Sequence, residues 1–174
     1  MSRSERLASL TRRELLWTGS LALGAAALLP RLARAHEGHD DYALPQATQD
    51  ALTKERLVHV SPLKSNGKES RCHAEVWYFF DRGSVVIATA TKGWKVRAAK
   101  LTSPKARLWI GSYGTGAPTF LASAAIDGDP ATFERLLAAY GTRYPDEWGK
   151  WKPRFESSHA DGSRTLVRYT PIGA

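Results

Sequence analysis

The sequence predicts a mainly β domain: six antiparallel strands arranged as a barrel or meander, with a few short helices. Three observations carry this. Short β-rich runs recur along the chain with tight turns between them. Two of the connections, Asn66-Gly67 and Asp81-Arg82-Gly83, have hairpin-turn chemistry. One well-capped helix interrupts the strands.

The elements follow in order. A short helix is expected from Ala47 to Leu57, overlapping the first strand, LVHVSPL, which starts at Leu57. The second strand, CHAEVWYFF, begins at Cys72, and the third, SVVIATAT, runs from Ser84 to Thr91. KARLWIGSY and TFLASAAI are the fourth and fifth, and TLVRYTPI is the sixth. Between the fifth and sixth, Asp129 is placed to cap a helix whose first residue is Pro130, where a missing N–H costs nothing. Phe133, Leu136, Leu137 and Tyr140 form its apolar stripe, and Gly141 reads as its stop. The aromatic and basic segment YPDEWGKWKPRF behind it reads as a lid or packing segment.

Residues 1–35 have the zones of a twin-arginine signal peptide. Arg12 and Arg13 are followed by Leu15 and Leu16, and a mildly apolar run leads from Trp17 to Pro30. At ~1.5 Å per residue that run spans about 21 Å as a helix, short of a ~30 Å hydrocarbon core. Arg31 and Arg34 come next, with a small-residue cleavage site ending at Ala35. The expectation is export by the twin-arginine translocase to the periplasm or beyond. Cleavage after Ala35 would leave no stable membrane span. Residues 36–46 then form a flexible polar arm and 47–174 the barrel domain.

The segment 1–35 holds six Arg against two Glu, so its removal lowers the net charge from +8 to +4. That balance is no nucleic-acid footprint, which needs basic residues clustered on one face. Cys72 is the single cysteine, so no disulfide can form within the chain. A twin-arginine substrate crosses the membrane already folded, which allows a cofactor to be loaded beforehand.

The chemistry concentrates in residues 73–101. The strand that ends at Thr91 runs into a loop with Lys92, Lys95, Arg97 and Lys100, and Gly93 lies among them. Cations and free backbone N–H groups at a strand end suit a phosphate. Thr89 and Thr91 offer hydroxyls, and Trp77, Tyr78 and Trp94 offer faces for a flat ring. From spacing alone, the same residues also read as a solvated basic loop beside core aromatics.

This stretch resembles the split-barrel flavin-binding superfamily, the pyridoxamine 5′-phosphate oxidase-like proteins and their deazaflavin-using relatives. From His73 to Lys95 the chain lies without a gap on the oxidase motif RxxLLK…DxxG…YT…SRK. The resemblance implies an FMN-binding split barrel, a homodimer with the cofactor between subunits, and a set of roles. His73 falls at the motif's opening Arg, Tyr78 at its Lys, and Thr89 at its Thr. Gly93-Trp94-Lys95 falls on Ser-Arg-Lys, so of that phosphate clamp only Lys95 is kept. Arg97 falls at a basic position of the deazaflavin-type relatives. The implied function is an exported oxidoreductase using FMN or a deazaflavin, with no general acid or base assigned. The alternatives are a non-enzymatic module that has lost the flavin site, and haem on the same barrel with His73 or His59 as axial ligand. Separately, His36 and His39 in HEGHDD offer imidazoles, and after cleavage an amine, to Cu or Zn.

Overall fold

The computed structural model describes residues 42–114 and 116–173. The predicted signal with Arg12, Arg13 and Ala35, and the paired His36 and His39, lie outside the described residues. Helix α1 (Gln46–Lys54) precedes strand β1 (Leu57–Pro62), then come β2 (Ala74–Trp77), β3 (Phe79–Asp81) and β4 (Ser84–Ala90). Helix α2 (Trp94–Ala99) leads to β5 (Lys105–Ile110) and β6 (Thr119–Asp127). Helices α3 (Pro130–Arg143) and α4 (Pro145–Ala160) precede β7 (Arg164–Pro171).

All pairings are antiparallel, in the order β2-β1-β5-β6-β7-β4-β3. Strands β2 and β3 are neighbours in the chain yet occupy opposite edges of the sheet. The sheet therefore curls round until its edges meet at Tyr78, giving a nearly closed barrel. The run expected as one strand, CHAEVWYFF, is thus two, and the sheet has seven strands rather than six. The break has a local cause: the N–H of Tyr78 donates to the hydroxyl of Tyr144 at 3.0 Å instead of to a strand.

Alternation along the strands sorts side chains into two cores. Val58, Val60, Val85, Ile87, Leu108, Ile110, Val167 and Tyr169 fill the barrel. Val86 and Leu166 face outwards, where Phe133, Leu136, Tyr140 and Tyr144 of α3 and its C-cap, with Phe155 of α4, cover them. Helix α3 starts as expected, with the Asp129 carboxylate accepting from the Ala131 N–H at 3.0 Å. It does not stop at Gly141 but runs to Arg143. Gly141 serves a close approach instead: a Cβ there would lie 2.9 Å from the indole nitrogen of Trp148. YPDEWGKWKPRF packs as part of α4. Among the described residues, no helix is long and apolar enough to cross a membrane.

Candidate functional site

The corner from β4 into α2 is built from backbone outwards. Beyond Ala90, Thr91 donates its N–H to Ser163 at 2.9 Å and its hydroxyl to the Gly162 carbonyl at 2.7 Å. These bonds pin the corner to the turn before β7. The Gly93 N–H closes the bend on the Ala90 carbonyl at 2.8 Å, and a Cβ on Gly93 would meet that oxygen at 2.8 Å. Glycine is required here by close approach, not by its φ of −70°. The segment expected as a basic loop then coils into α2, because Val96 and Ala99 bury into the barrel end.

Lys95 is the distinctive group of this corner. It is half-buried, with its ammonium 4.4 Å from the centre of the Trp94 ring. Burial lowers its pKa from the ordinary lysine value. Among the described residues no carboxylate comes within ion-pair distance of it. A partly desolvated cation of this kind has capacity for a charge-assisted bond to an anion. Arg97 donates to the Lys92 carbonyl at 2.8 Å, which holds the first turn together.

The residues singled out in the sequence divide into separate places. Thr89, Thr91, Lys92, Trp94, Lys95 and Arg97 gather at the β4–α2 corner. His73 lies before β2, exposed, its ring stacked on Tyr113 at 4.3 Å. His59, on β1, lies 6.0 Å from the same Tyr113 ring and 3.8 Å from the Glu75 carboxylate. Trp77 packs against Tyr144, the rings parallel at 4.2 Å. Tyr78 is fully buried in the barrel, so its expected role as a surface for a ring does not match its position. Its hydroxyl faces the carbonyls of Leu52 at 2.5 Å and Glu55 at 2.8 Å. Among the described residues no group of three or more His, Cys, Asp or Glu could hold a metal.

A second feature was not anticipated. A cleft of about 410 Å³ opens between β2, β4 and α4, lined by Val76, Trp77, Ala88, Tyr140, Glu147, Trp151 and Phe155. The signal for it was present in the sequence. Tyr144, Trp148, Trp151 and Phe155 recur at helical spacing, which places an aromatic stripe on one face of α4.

No family model matches the chain, and no curated protein does. Solved structures do. A conserved hypothetical protein of Mycobacterium tuberculosis, Rv2991, superposes with a TM-score of 0.55 at 18% identity, covering 78% of this chain and 85% of its own. A "putative 5-nitroimidazole antibiotic resistance protein" from Bacteroides thetaiotaomicron gives 0.52 at 7% identity, over 76% and 82%. A "putative pyridoxamine 5′-phosphate oxidase" from Listeria innocua gives 0.50 at 11% identity, over 74% and 93%. At these identities the likeness concerns the fold, and the curled seven-stranded sheet closed at Tyr78 is the split barrel shared with proteins of pyridoxamine 5′-phosphate oxidase type.

Proposed function

We propose that this chain is an exported split-barrel protein that binds a flavin-type cofactor, FMN or a deazaflavin, and serves oxidation and reduction outside the cytoplasm. The observation that carries the reading is Lys95: a half-buried ammonium with no carboxylate partner among the described residues, beside the Trp94 ring. It lies on the fold whose motif places a phosphate contact at that position. The donor set fits a phosphate in part. Lys95 supplies charge, whereas the Thr91 hydroxyl is committed to Gly162 and one Arg97 N–H to Lys92. When bound, a flavin would supply the hydride or electron chemistry. The chain's own part would be to hold the phosphate through Lys95 and to offer the Trp94 face to the cofactor.

The site is proposed to work in a homodimer, exported by the twin-arginine translocase. The test is direct. Protein purified with its leader intact should be yellow, with absorbance near ~450 nm, and should quench FMN fluorescence on titration. Lys95→Ala should remain folded by circular dichroism and bind roughly 30–150-fold more weakly, for a loss of ~2–3 kcal/mol. Equal affinity in the variant would place the phosphate contact elsewhere. An absorption band near ~400 nm in place of the flavin spectrum would favour haem. A colourless protein that takes up none of these cofactors would favour a non-enzymatic binding module.

A further inference from the structure

The cleft under α4 has a chemistry of its own. Its walls are rings from three elements: Trp77 from β2, Tyr140 from α3, and Trp151 and Phe155 from α4. Tyr140 stands edge-on to both Trp77, at 5.7 Å and 89°, and Phe155, at 5.5 Å and 85°. Trp151 is also steeply inclined to both, at 6.2 Å and 73° to Trp77 and at 6.5 Å and 64° to Phe155. The rings therefore surround the space on several sides. The one carboxylate of the lining is Glu147, whose bond to Arg56 at 3.1 Å engages Oε2 and leaves Oε1 without a partner among the described residues.

Two kinds of ligand use aromatic walls: flat rings that intercalate, and organic cations that lie against ring faces. The geometry separates them. Trp77 and Phe155 are nearly parallel, at 10°, but their centres are only 6.2 Å apart. A flat ring between them needs about 7 Å, two contact distances of roughly 3.5 Å. A compact cation needs no such slot. It gains from several ring faces at once and from a nearby carboxylate. Arginines already lie over two of these rings, Arg164 at 4.3 Å from the Phe155 centre and Arg154 at 5.1 Å from Trp151, so an entering cation uses only the ring surface left open towards the cleft.

We infer that this cleft is a binding site for a small methylated ammonium cation, with Trp77, Trp151 and Phe155 as its walls and Glu147 as its counter-charge. The inference does not rest on Lys95 or Trp94, which do not line the cleft, and of the sequence's cofactor candidates it uses only Trp77.

Calorimetric titration of the full chain with choline tests it, at constant ionic strength. The control ligand is 3,3-dimethylbutan-1-ol, which has the same shape and no charge. Choline should bind saturably and the neutral alcohol at least ~10-fold more weakly. Glu147→Gln, at a half-exposed position and with folding checked by circular dichroism, should weaken choline binding. Trp151→Ala should weaken it as well, each by between about two- and thirty-fold. Equal binding of choline and the alcohol would overturn the inference, as would affinity unchanged in both variants or no saturable heat. Repeating the titration with FMN present separates the two readings: unchanged choline affinity supports a distinct cleft, and competition would overturn it.

Discussion

Arg143 donates a hydrogen bond to the hydroxyl oxygen of Tyr78 at 2.6 Å, and its guanidinium carbon lies 4.3 Å from the centre of the same ring. The same guanidinium also donates to the carbonyls of Leu52 and Glu55. Four segments thus meet at one buried hydroxyl: the end of α1, the residue following it, the β2–β3 break and the end of α3. Tyr78→Phe keeps the ring but removes a partner from buried polar groups. It should cost about 1–3 kcal/mol, read as a lower urea midpoint with unchanged slope. A variant as stable as the parent would mean that the seam is held by ring packing alone.

Alkaline pH should weaken the fold through the same residue class. Burial pushes the hydroxyls of Tyr78, Tyr140 and Tyr169 well above the ordinary value of 10.0. A raised folded-state pKa contributes stability that is present below the unfolded value and lost as pH rises through the folded one. Thermal stability should therefore fall progressively above pH ~10. Phenolate absorbance from these three should appear together with unfolding, not before it.

Acid acts on the opposite sign of shift. Burial alone would raise the pKa of Asp81, but hydrogen bonds and charge from Arg135 and Arg168 outweigh it and hold the carboxyl below its usual value of 3.8. Arg168 spans this group and Asp127, donating at 2.8 Å to each. The stability contributed is present above the unfolded pKa and lost as pH falls through the lowered folded one. Asp81→Asn removes the carboxylate that Arg135 and Arg168 share, leaving Arg168 to Asp127 and Arg135 to the Thr132 hydroxyl, and should cost about 3 kcal/mol near neutrality. The difference from the parent should shrink below pH ~4, measured by denaturant midpoints across the range.

Gly93→Ala tests whether the corner positions Lys95. The added carbon meets a backbone oxygen, which cannot swing aside as a side chain could. The expected result is a loss of about 1–3 kcal/mol of stability and weaker FMN binding, though no charge has changed. Normal FMN affinity would show that Lys95 does not depend on the start of α2 for its place.

Export is tested apart from the fold. Replacing Arg12 and Arg13 together by Lys should leave an uncleaved precursor in the cytoplasm, followed by fractionation and mass spectrometry. The exported parent should begin at His36. Normal export of the double variant would remove the twin-arginine route.

Much of this architecture was legible because strands and turns write local signals. Alternation in SVVIATA separates Val85 and Ile87 from Val86 and Ala88, and the structure buries the two pairs in different cores. The break at Tyr78 was not legible, since it depends on a hydroxyl 66 residues away. Helix α2 was hidden because six residues carry too little period to distinguish a helix from a loop. Helix α4 was disguised by Gly149 and Pro153, which read as breakers but sit on its exposed side. At the candidate site, Thr89, Thr91, Lys92, Trp94, Lys95 and Arg97 all fall at the β4–α2 corner, as residues within nine positions of one another must. The sequence could not tell that Tyr78 points into the barrel, because one residue's displacement at a strand break decides the face.

The position of the last strand decides when the barrel can close. Strand β7, ending at Pro171, lies between β6 and β4 and pairs with both. Until it has left the ribosome, two long strand edges are bare, and such edges invite pairing with other chains. Closure of the barrel therefore waits on β7, and a chain truncated before residue 164 should expose both edges and associate with other chains rather than fold as a smaller stable domain.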